Sequence, residues 1–513
     1  MSCLNINIGI LGHVDSGKTT LAKNLSEIQS TAAFDKSRQS QERGITLDLG
    51  FSALRTSIPS HIKDLISTDT IQELQLTFVD CPGHASLLKT IIGGAQIIDF
   101  IILVIDVTKG IQTQTAECLV IGEITCPGKL IVALNKIDLL ESNEKRDALI
   151  EKMTKKLKIV LSGTSFKDSR IVPVSATNND HSVQNFLEVL KQEITIPCRT
   201  NVNLPFLFAV DHCFQITGQG TICTGTILQG KISVGDEIEV PKLKLARKVK
   251  SMQMYKKNIR EAMQGDRVGI CLTQFSHNDM ERGILAAPGF LRHIYSVVLK
   301  VKRIKYFKQT IKTKSKLHIS IGHETVMGTV LFFTSQFNEL NLQDEFQYKD
   351  ELSPVQDDSE LDSNIFVIIE FERPVLVAKD MLMIASNLTE IHKNSCRLAF
   401  YGYPSLLSDD REYSNTFLPK IRIYKEKIKI GSILRIVSET ELIGINLFKK
   451  ESDRQLYIKL KVELSTGEPG MIEGTFGQTN KIKIRLNCPL SDETRAKLEK
   501  KDESKCHFNV FEF

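Results

Sequence analysis

Residues 5–25 read NINIGILGHVDSGKTTLAKNL. The first half alternates apolar and polar residues as a strand does, and the last part carries Leu21 and Leu25 at helical spacing. Between them lies Gly12-x-x-x-x-Gly17-Lys18-Thr19, a strand-to-helix turn of the G-x-x-x-x-G-K-T type. Glycines allow a tight loop whose amides, with those of Asp15, Ser16 and Thr20, point inward at phosphate, and the helix start adds its positive dipole end. Lys18 is placed to reach the β and γ phosphates, and the Thr19 hydroxyl to take one Mg²⁺ position.

Three later segments follow apolar strands in the order this chemistry requires. LTFVDCPGH at 76–84 puts Asp80 at a strand end, where a carboxylate holds Mg²⁺ through water, and Gly83 offers an amide to a γ-phosphate. LIVALNKIDLL at 130–140 supplies Asn135, Lys136 and Asp138, and IVPVSA at 171–176 supplies Ser175 and Ala176. A carboxylate at Asp138 accepts from both N1–H and the exocyclic amine of guanine, a pair of donors adenine lacks. The expected ligand is GTP or GDP with Mg²⁺.

Together these segments resemble the GTPases, and QERGITLDLGF at 41–51 narrows the branch, since Arg43-Gly44-Ile45-Thr46 looks like the first switch of the translational GTPases. The resemblance implies that Thr46 closes on Mg²⁺ and γ-phosphate in the GTP state. It also implies that His84, in D-C-P-G-H, positions the attacking water once the ribosome is engaged. The expected catalytic set is therefore Lys18, Thr46 and His84, and the expected metal set Thr19, Thr46 and Asp80.

At 513 residues the chain has room for several domains. Its 42% apolar and 25% charged content is that of a soluble globular protein, which excludes global disorder and a coiled coil. A net charge of +5 is modest, so contact with nucleic acid has to come from local basic surfaces. Eleven cysteines include no C-x-x-C pair, which argues against a zinc ribbon or a thioredoxin-type site and fits reduced thiols in the cytosol. The most apolar run, IIDFIILVIDV at 97–107, is broken by Asp99 and Asp106 and is far shorter than the ~20 residues a bilayer span needs. It reads as a buried strand of a cytoplasmic protein.

The expected fold class is an α/β P-loop GTPase domain, mostly parallel sheet with helices on both faces, followed by three small β-barrel domains. TIPCRTNVNLP at 195–205 reads as a linker. Boundaries are expected at 1–197 for the nucleotide domain, 203–290 for the second, 291–407 for the third and 418–513 for the fourth. In the third, Lys300, Lys302, Arg303, Lys305, Lys308, Lys312, Lys314 and Lys316 line one hairpin-like stretch that suits RNA phosphates, against the bland reading of a solvated face. NLQDEFQYKDELSPVQDDSELD at 341–362 is acidic and reads as a mobile loop. In the fourth, Gly467 to Phe476 followed by KIKIRL echoes Gly218 to Ile227 and the KISVGDEIEV beyond it, as a second copy of a similar barrel would. Its opening is basic, with Lys420, Arg422, Lys425, Lys427, Lys429 and Arg435.

GHVDSGKTTL, ERGITLDLGFS, VDCPGHASL, VDHCFQITGQGTICTGTI and GDRVGICLTQF carry a closer resemblance, to the eukaryotic and archaeal type of selenocysteine-specific elongation factors. That family implies GTP-dependent delivery of selenocysteinyl-tRNA to a ribosome at UGA, by a monomer without membrane contact. The tail reads as strands rather than winged helices, so recruitment is expected to pass through a separate protein bound to the selenocysteine insertion element RNA. The alternatives are an initiator-tRNA-carrying initiation factor subunit, whose usual cysteine-rich knuckle is missing here, and a non-catalytic nucleotide-dependent RNA-binding adaptor.

The resemblance also implies a cargo pocket of Asp211, His212 and Arg267. A selenol is more acidic than a thiol, so selenocysteine arrives as an anion and serine arrives neutral. Cationic donors separate the two by charge far better than a cavity separates them by size. In this reading Asp211 orients the imidazole or keeps it protonated. The bland rivals are Asp211 opening a turn, His212 as a core-edge histidine, and Arg267 paired with Asp266 or a surface carboxylate.

Overall fold

The computed structural model describes residues 2–29, 49–66, 71–82, 92, 97–140, 144–177, 181–255, 257–322, 324–356, 364–388, 396–425, 427–447, 458–476, 481–490 and 507–512. Its first sheet is built from β1 (Ser2–Gly12), β2 (Ile28–Gln29), β3 (Gly50–Thr56), β4 (Ile71–Asp80), β5 (Phe100–Asp106), β6 (Leu130–Asn135) and β7 (Ile171–Pro173) in the order β2-β3-β4-β1-β5-β6-β7. β4, β1, β5, β6 and β7 run parallel, while β2 and β3 add an antiparallel edge. Every residue of β5 is buried, as a strand covered on both faces requires, which accounts for its apolar run from Phe100 to Ile105. Helices α1 (Lys18–Leu25) and α4 (His181–Glu193) bury Leu21, Leu25, Phe186 and Leu190 in the cluster on one face. Helices α2 (Thr113–Thr125) and α3 (Glu144–Ser162) bury Leu119, Ile121, Leu157 and Leu161 on the other. No helix among the described residues is long and apolar enough to cross a membrane.

The second region is all β: β8 (Leu207–Ile216), β9 (Gly220–Gln229), β10 (Lys231–Ser233), β11 (Glu237–Val240), β12 (Leu245–Met254), β13 (Lys257–Ile259), β14 (Glu261–Met263), β15 (Arg267–Leu272) and β16 (Gly283–Ala286). The path β11-β16-β8-β9-β15-β12 closes on itself because β11 also pairs with β12. Register shifts between Val210 and His212, so Asp211 sits at a β-bulge in β8. The third region is an antiparallel sheet in which Arg292–Lys300 lies between Ile365–Val377 and Pro404–Ser408.

By compactness the chain divides into two units, Met1–Leu331 with Glu351–Phe417, and Phe332–Asp350 with Leu418–Phe513. In the second, Lys427–Ile436, Glu441–Ile445, Lys481–Leu486, Pro469–Phe476, Lys461–Leu464 and His507–Glu512 form a closed barrel.

Three details depart from the sequence reading. The acidic segment is not a loop throughout: Glu345–Lys349 is a strand paired in parallel with Arg422–Tyr424, in which Phe346 is buried between the exposed Glu345 and Gln347. The basic stretch is not one hairpin. Lys302–Arg303 pairs with Leu398–Gly402, while Ile311–Lys312 pairs with Glu351–Leu352, so its lysines are distributed over separate strands. Finally, Pro469–Phe476 forms a hairpin with the Lys481–Leu486 strand that follows it, whereas β9 pairs with β8 and β15 and not with the β10 that follows it. The echo in sequence is not an echo in pairing.

Candidate functional site

The loop after β1 lies at the carboxyl ends of the parallel strands, where β4 and β5 diverge on either side of β1. Gly12, Asp15 and Gly17 all have positive φ, at 146°, 60° and 91°. A Cβ on Gly12 would lie 2.3 Å from the Val104 carbonyl oxygen and one on Gly17 would lie 2.2 Å from Asn135 Nδ2, so both glycines are needed for space as well as for φ. Asn135, at the end of β6, donates from Nδ2 to the Ser16 carbonyl at 2.8 Å and accepts at Oδ1 from the Ala176 amide at 3.0 Å. One side chain therefore ties the loop after β1 to the loop after β7.

Asp138 accepts from the Ser175 hydroxyl at 2.7 Å and from Thr177 Oγ1 at 3.3 Å, which brings the segments after β6 and β7 together. Lys136, in the left-handed region at φ 66°, forms an ion pair with Asp106 at 2.9 Å. Asp106, named from the sequence only as a break in an apolar run, and Thr177 and Asn24, whose amide donates to the Ala176 carbonyl, were not among the expected site residues. Asp106 carried a readable signal: a carboxylate closing a wholly apolar strand.

At the start of α1, Lys18 is 6% exposed and donates from Nζ to the His13 carbonyl at 2.7 Å. Burial pushes its pKa down, so the ammonium is short of negative charge. Thr19 Oγ1 donates to Asp80 Oδ2 at 2.6 Å. Burial pushes Asp80 up to about 6, and its Oδ1, like Ser16 Oγ, is buried without a hydrogen-bond partner among the described residues. A hydroxyl, a carboxylate and a spare carboxylate oxygen form a donor set suited to a hard divalent cation. Thr20 is exposed on the first turn of α1. Thr46, Gly83 and His84 lie outside the described residues.

The second barrel brings Asp211 and Arg267 together. Arg267 Nη1 donates to Asp211 Oδ2, and the two side chains are 4% and 2% exposed. Asp211 is thus partnered by the guanidinium, which reaches it from β15, two strands away across β9. Asp266 does not take Arg267 either, since its carboxylate accepts from the Met263 amide at 2.9 Å. His212 is half-buried and in register with Thr224, whose hydroxyl donates to the His212 carbonyl at 3.3 Å. The Arg267 guanidinium carbon lies 3.1 Å from the centre of the Phe51 ring on β3.

Further contacts join the nucleotide sheet to the β regions. Asn5 and Asn7 both donate to the Gly265 carbonyl, at 2.8 and 2.9 Å. Arg199 grips Asp99 through both terminal nitrogens at 2.7 Å, and Arg397 holds Glu117 at 2.8 and 2.7 Å. The signal for the first was two asparagines at i and i+2 on a central strand, where apolar residues are the rule.

Comparison with known proteins returns four matched family models: the Elongation factor Tu GTP binding domain over 4–196, Elongation factor Tu domain 2 over 220–286, the third domain of eukaryotic selenocysteine-specific elongation factor over 298–402, and the eEFSec C-terminal RIFT domain over 419–510. The selenocysteine-specific elongation factor of Mus musculus is 47% identical over 96% of this chain and 90% of its own length. That of Methanocaldococcus jannaschii is 30% identical over 93% of each. Among solved structures, translation elongation factor SelB from Methanococcus maripaludis in complex with the GTP analogue GppNHp superposes with a TM-score of 0.73 at 26% identity, covering 100% of this chain and 99% of that one.

Proposed function

From the premise that this chain belongs to the selenocysteine-specific elongation factors, we propose that the residues gathered at the ends of β1, β4, β6 and β7 make it a GTP-driven carrier of selenocysteinyl-tRNA to ribosomes at UGA codons. The protein is a translational GTPase that binds GTP and GDP. The single observation that carries the assignment of residues is the Asn135 bridge from Ser16 to Ala176, which holds phosphate loop and base loops in one frame.

In this reading Gly12, Asp15, Ser16, Gly17, Lys18, Thr19 and Thr20 cradle the phosphates. The β and γ phosphates take the place of the His13 carbonyl at Lys18 and supply the negative charge its buried ammonium lacks. Asn135, Lys136, Asp138, Ser175 and Ala176 hold the guanine, with Asp138 accepting from N1–H and the 2-amino group. Thr19 and Asp80, with Thr46, are the residues that would hold Mg²⁺, and the spare Asp80 oxygen fits that role. When bound, the ion neutralises charge that develops between the β and γ phosphates. Gly83 offers its amide to the γ-phosphate and His84 positions the water that attacks it, giving GDP and phosphate. Little covalent work falls to the protein, so the intrinsic rate is slow and the ribosome accelerates it.

Asp211, His212 and Arg267 form the selenocysteine pocket, with cationic donors that favour a selenolate over a seryl hydroxyl. The division at 1–197, 203–290, 291–407 and 418–513 assigns the second region to the aminoacyl end, the third to tRNA and the fourth to recruitment through a protein bound to the insertion element RNA. The factor acts as a cytoplasmic monomer. The test is binding of selenocysteinyl-tRNA and seryl-tRNA in the presence of a non-hydrolysable GTP analogue and of GDP. Preference for selenocysteinyl-tRNA in the analogue form, together with ribosome-stimulated phosphate release, is the expected result. Equal binding of both tRNAs refutes the carrier reading.

A further inference from the structure

Phe51 links the two sites. It follows Gly50, which is the cross-strand partner of Asp80 at the nucleotide end of β4, and its own partner is Val79. Its ring is fully buried and faces the Arg267 guanidinium at 3.1 Å. Arg267 is therefore enclosed between a carboxylate from β8 and an aromatic face from the nucleotide sheet. A guanidinium removed from water needs both kinds of compensation, since the ion pair alone seldom recovers the desolvation cost and the ring quadrupole adds to it. Cargo recognition by Arg267 consequently depends on where β3 holds Phe51, and β3 is registered on the strand that ends in Asp80.

We propose that Phe51 is a positioning residue for cargo: its ring sets whether the Arg267 guanidinium stays with Asp211 or turns to an incoming selenolate, so that the nucleotide state of the β3–β4 end is read out as cargo affinity. This rests on the assignment of Arg267 to the selenocysteine pocket. Without the ring, Arg267 pairs with Asp211 whatever the nucleotide, and affinity no longer responds to it. A contact of this kind, desolvated, is worth about tenfold or more in an equilibrium.

The experiment measures dissociation constants of selenocysteinyl- and seryl-tRNA, each with a GTP analogue and with GDP, for the full chain and for Phe51→Leu, Phe51→Tyr and Arg267→Met. Thermal unfolding and GDP affinity establish that each variant is folded, and Phe51→Met replaces Phe51→Leu should the latter not retain nucleotide. The expected result is that the ratio of selenocysteinyl-tRNA affinity between analogue and GDP falls about tenfold or more in Phe51→Leu and is restored in Phe51→Tyr, with GDP affinity unchanged. A ring that merely fills space would lower the unfolding temperature and leave that ratio as it was. If Arg267→Met abolishes the selenocysteine preference while Phe51→Leu keeps the nucleotide ratio, the pocket stands and the inference is overturned. If Arg267→Met leaves the preference intact, the pocket assignment itself fails, and the inference with it.

Discussion

The side-chain amide of Asn135 occupies the space that a Cβ on Gly17 would need, with 2.2 Å between them. The closeness has a structural cause, because the same amide donates to the Ser16 carbonyl and so fixes the turn that precedes Lys18.

Gly17→Ala should therefore remove nucleotide binding while the barrels stay folded. The methyl group meets Asn135 at a position whose φ of 91° already disfavours a side chain. Titration with a fluorescent GDP analogue should show a loss of about 100-fold or more, the scale of one clash together with one broken buried hydrogen bond. Retained affinity would mean that the loop relaxes without cost.

Asp138→Asn should exchange the base preferred. The carboxylate, held by Ser175 at 2.7 Å, can only accept, whereas an amide in the same place accepts from N1–H and donates to a carbonyl at position 2. GTP binding should fall by about 10²-fold and xanthosine triphosphate binding should rise, as expected when a buried polar partner is mismatched. A variant that weakens both nucleotides equally would show that Asp138 is not the base acceptor.

Arg267→Met alone should destabilise the protein more than Arg267→Met combined with Asp211→Leu. Removing one member strands a charge that is 2% exposed, at about 3–5 kcal/mol, whereas removing both replaces the pair with apolar contacts. Apparent melting temperatures of the two single variants and the double variant measure this, and additive losses would argue against a buried pair.

Asp266→Asn should stabilise the protein at pH 7. Burial raises the Asp266 carboxyl from 3.8 to about 6, so the folded state holds its proton over a range where the unfolded chain has released it. That group's contribution is complete below about pH 4 and is lost as pH rises through 6. The advantage of Asn, a few degrees in melting temperature at pH 7, should shrink to nothing near pH 4. A pH-independent difference would point to the Met263 hydrogen bond instead.

The cluster at the ends of β1, β4, β6 and β7 was legible because binding phosphate and guanine calls for residue types at short fixed spacings, and the glycine loop before Lys18, Asp80 closing a strand, and Asn135 three residues before Asp138 are brought together by the fold. What remained hidden is tertiary. Glu117 meets Arg397 across 280 residues and Asn5 meets Gly265 across 260, and no local pattern announces such partners. Asp211 shows the limit most clearly. Sequence adjacency pointed to His212, and the pairing with Arg267 comes from β15, which reaches Asp211 across β9.

Asn5 and Asn7, both on the central strand, hold the carbonyl of the residue that lies two before Arg267. The turn that leads into β15 and Arg267 is thereby anchored to β1, and Arg199 closes over Gly265 so tightly that a methyl group there would lie 2.1 Å from the Arg199 guanidinium carbon. Small displacements of the neighbouring strands are consequently registered against a stationary reference. An amide hydrogen-exchange map taken in each nucleotide form should find the Gly265 turn equally protected in both, with the changes confined to elements that this anchor leaves free.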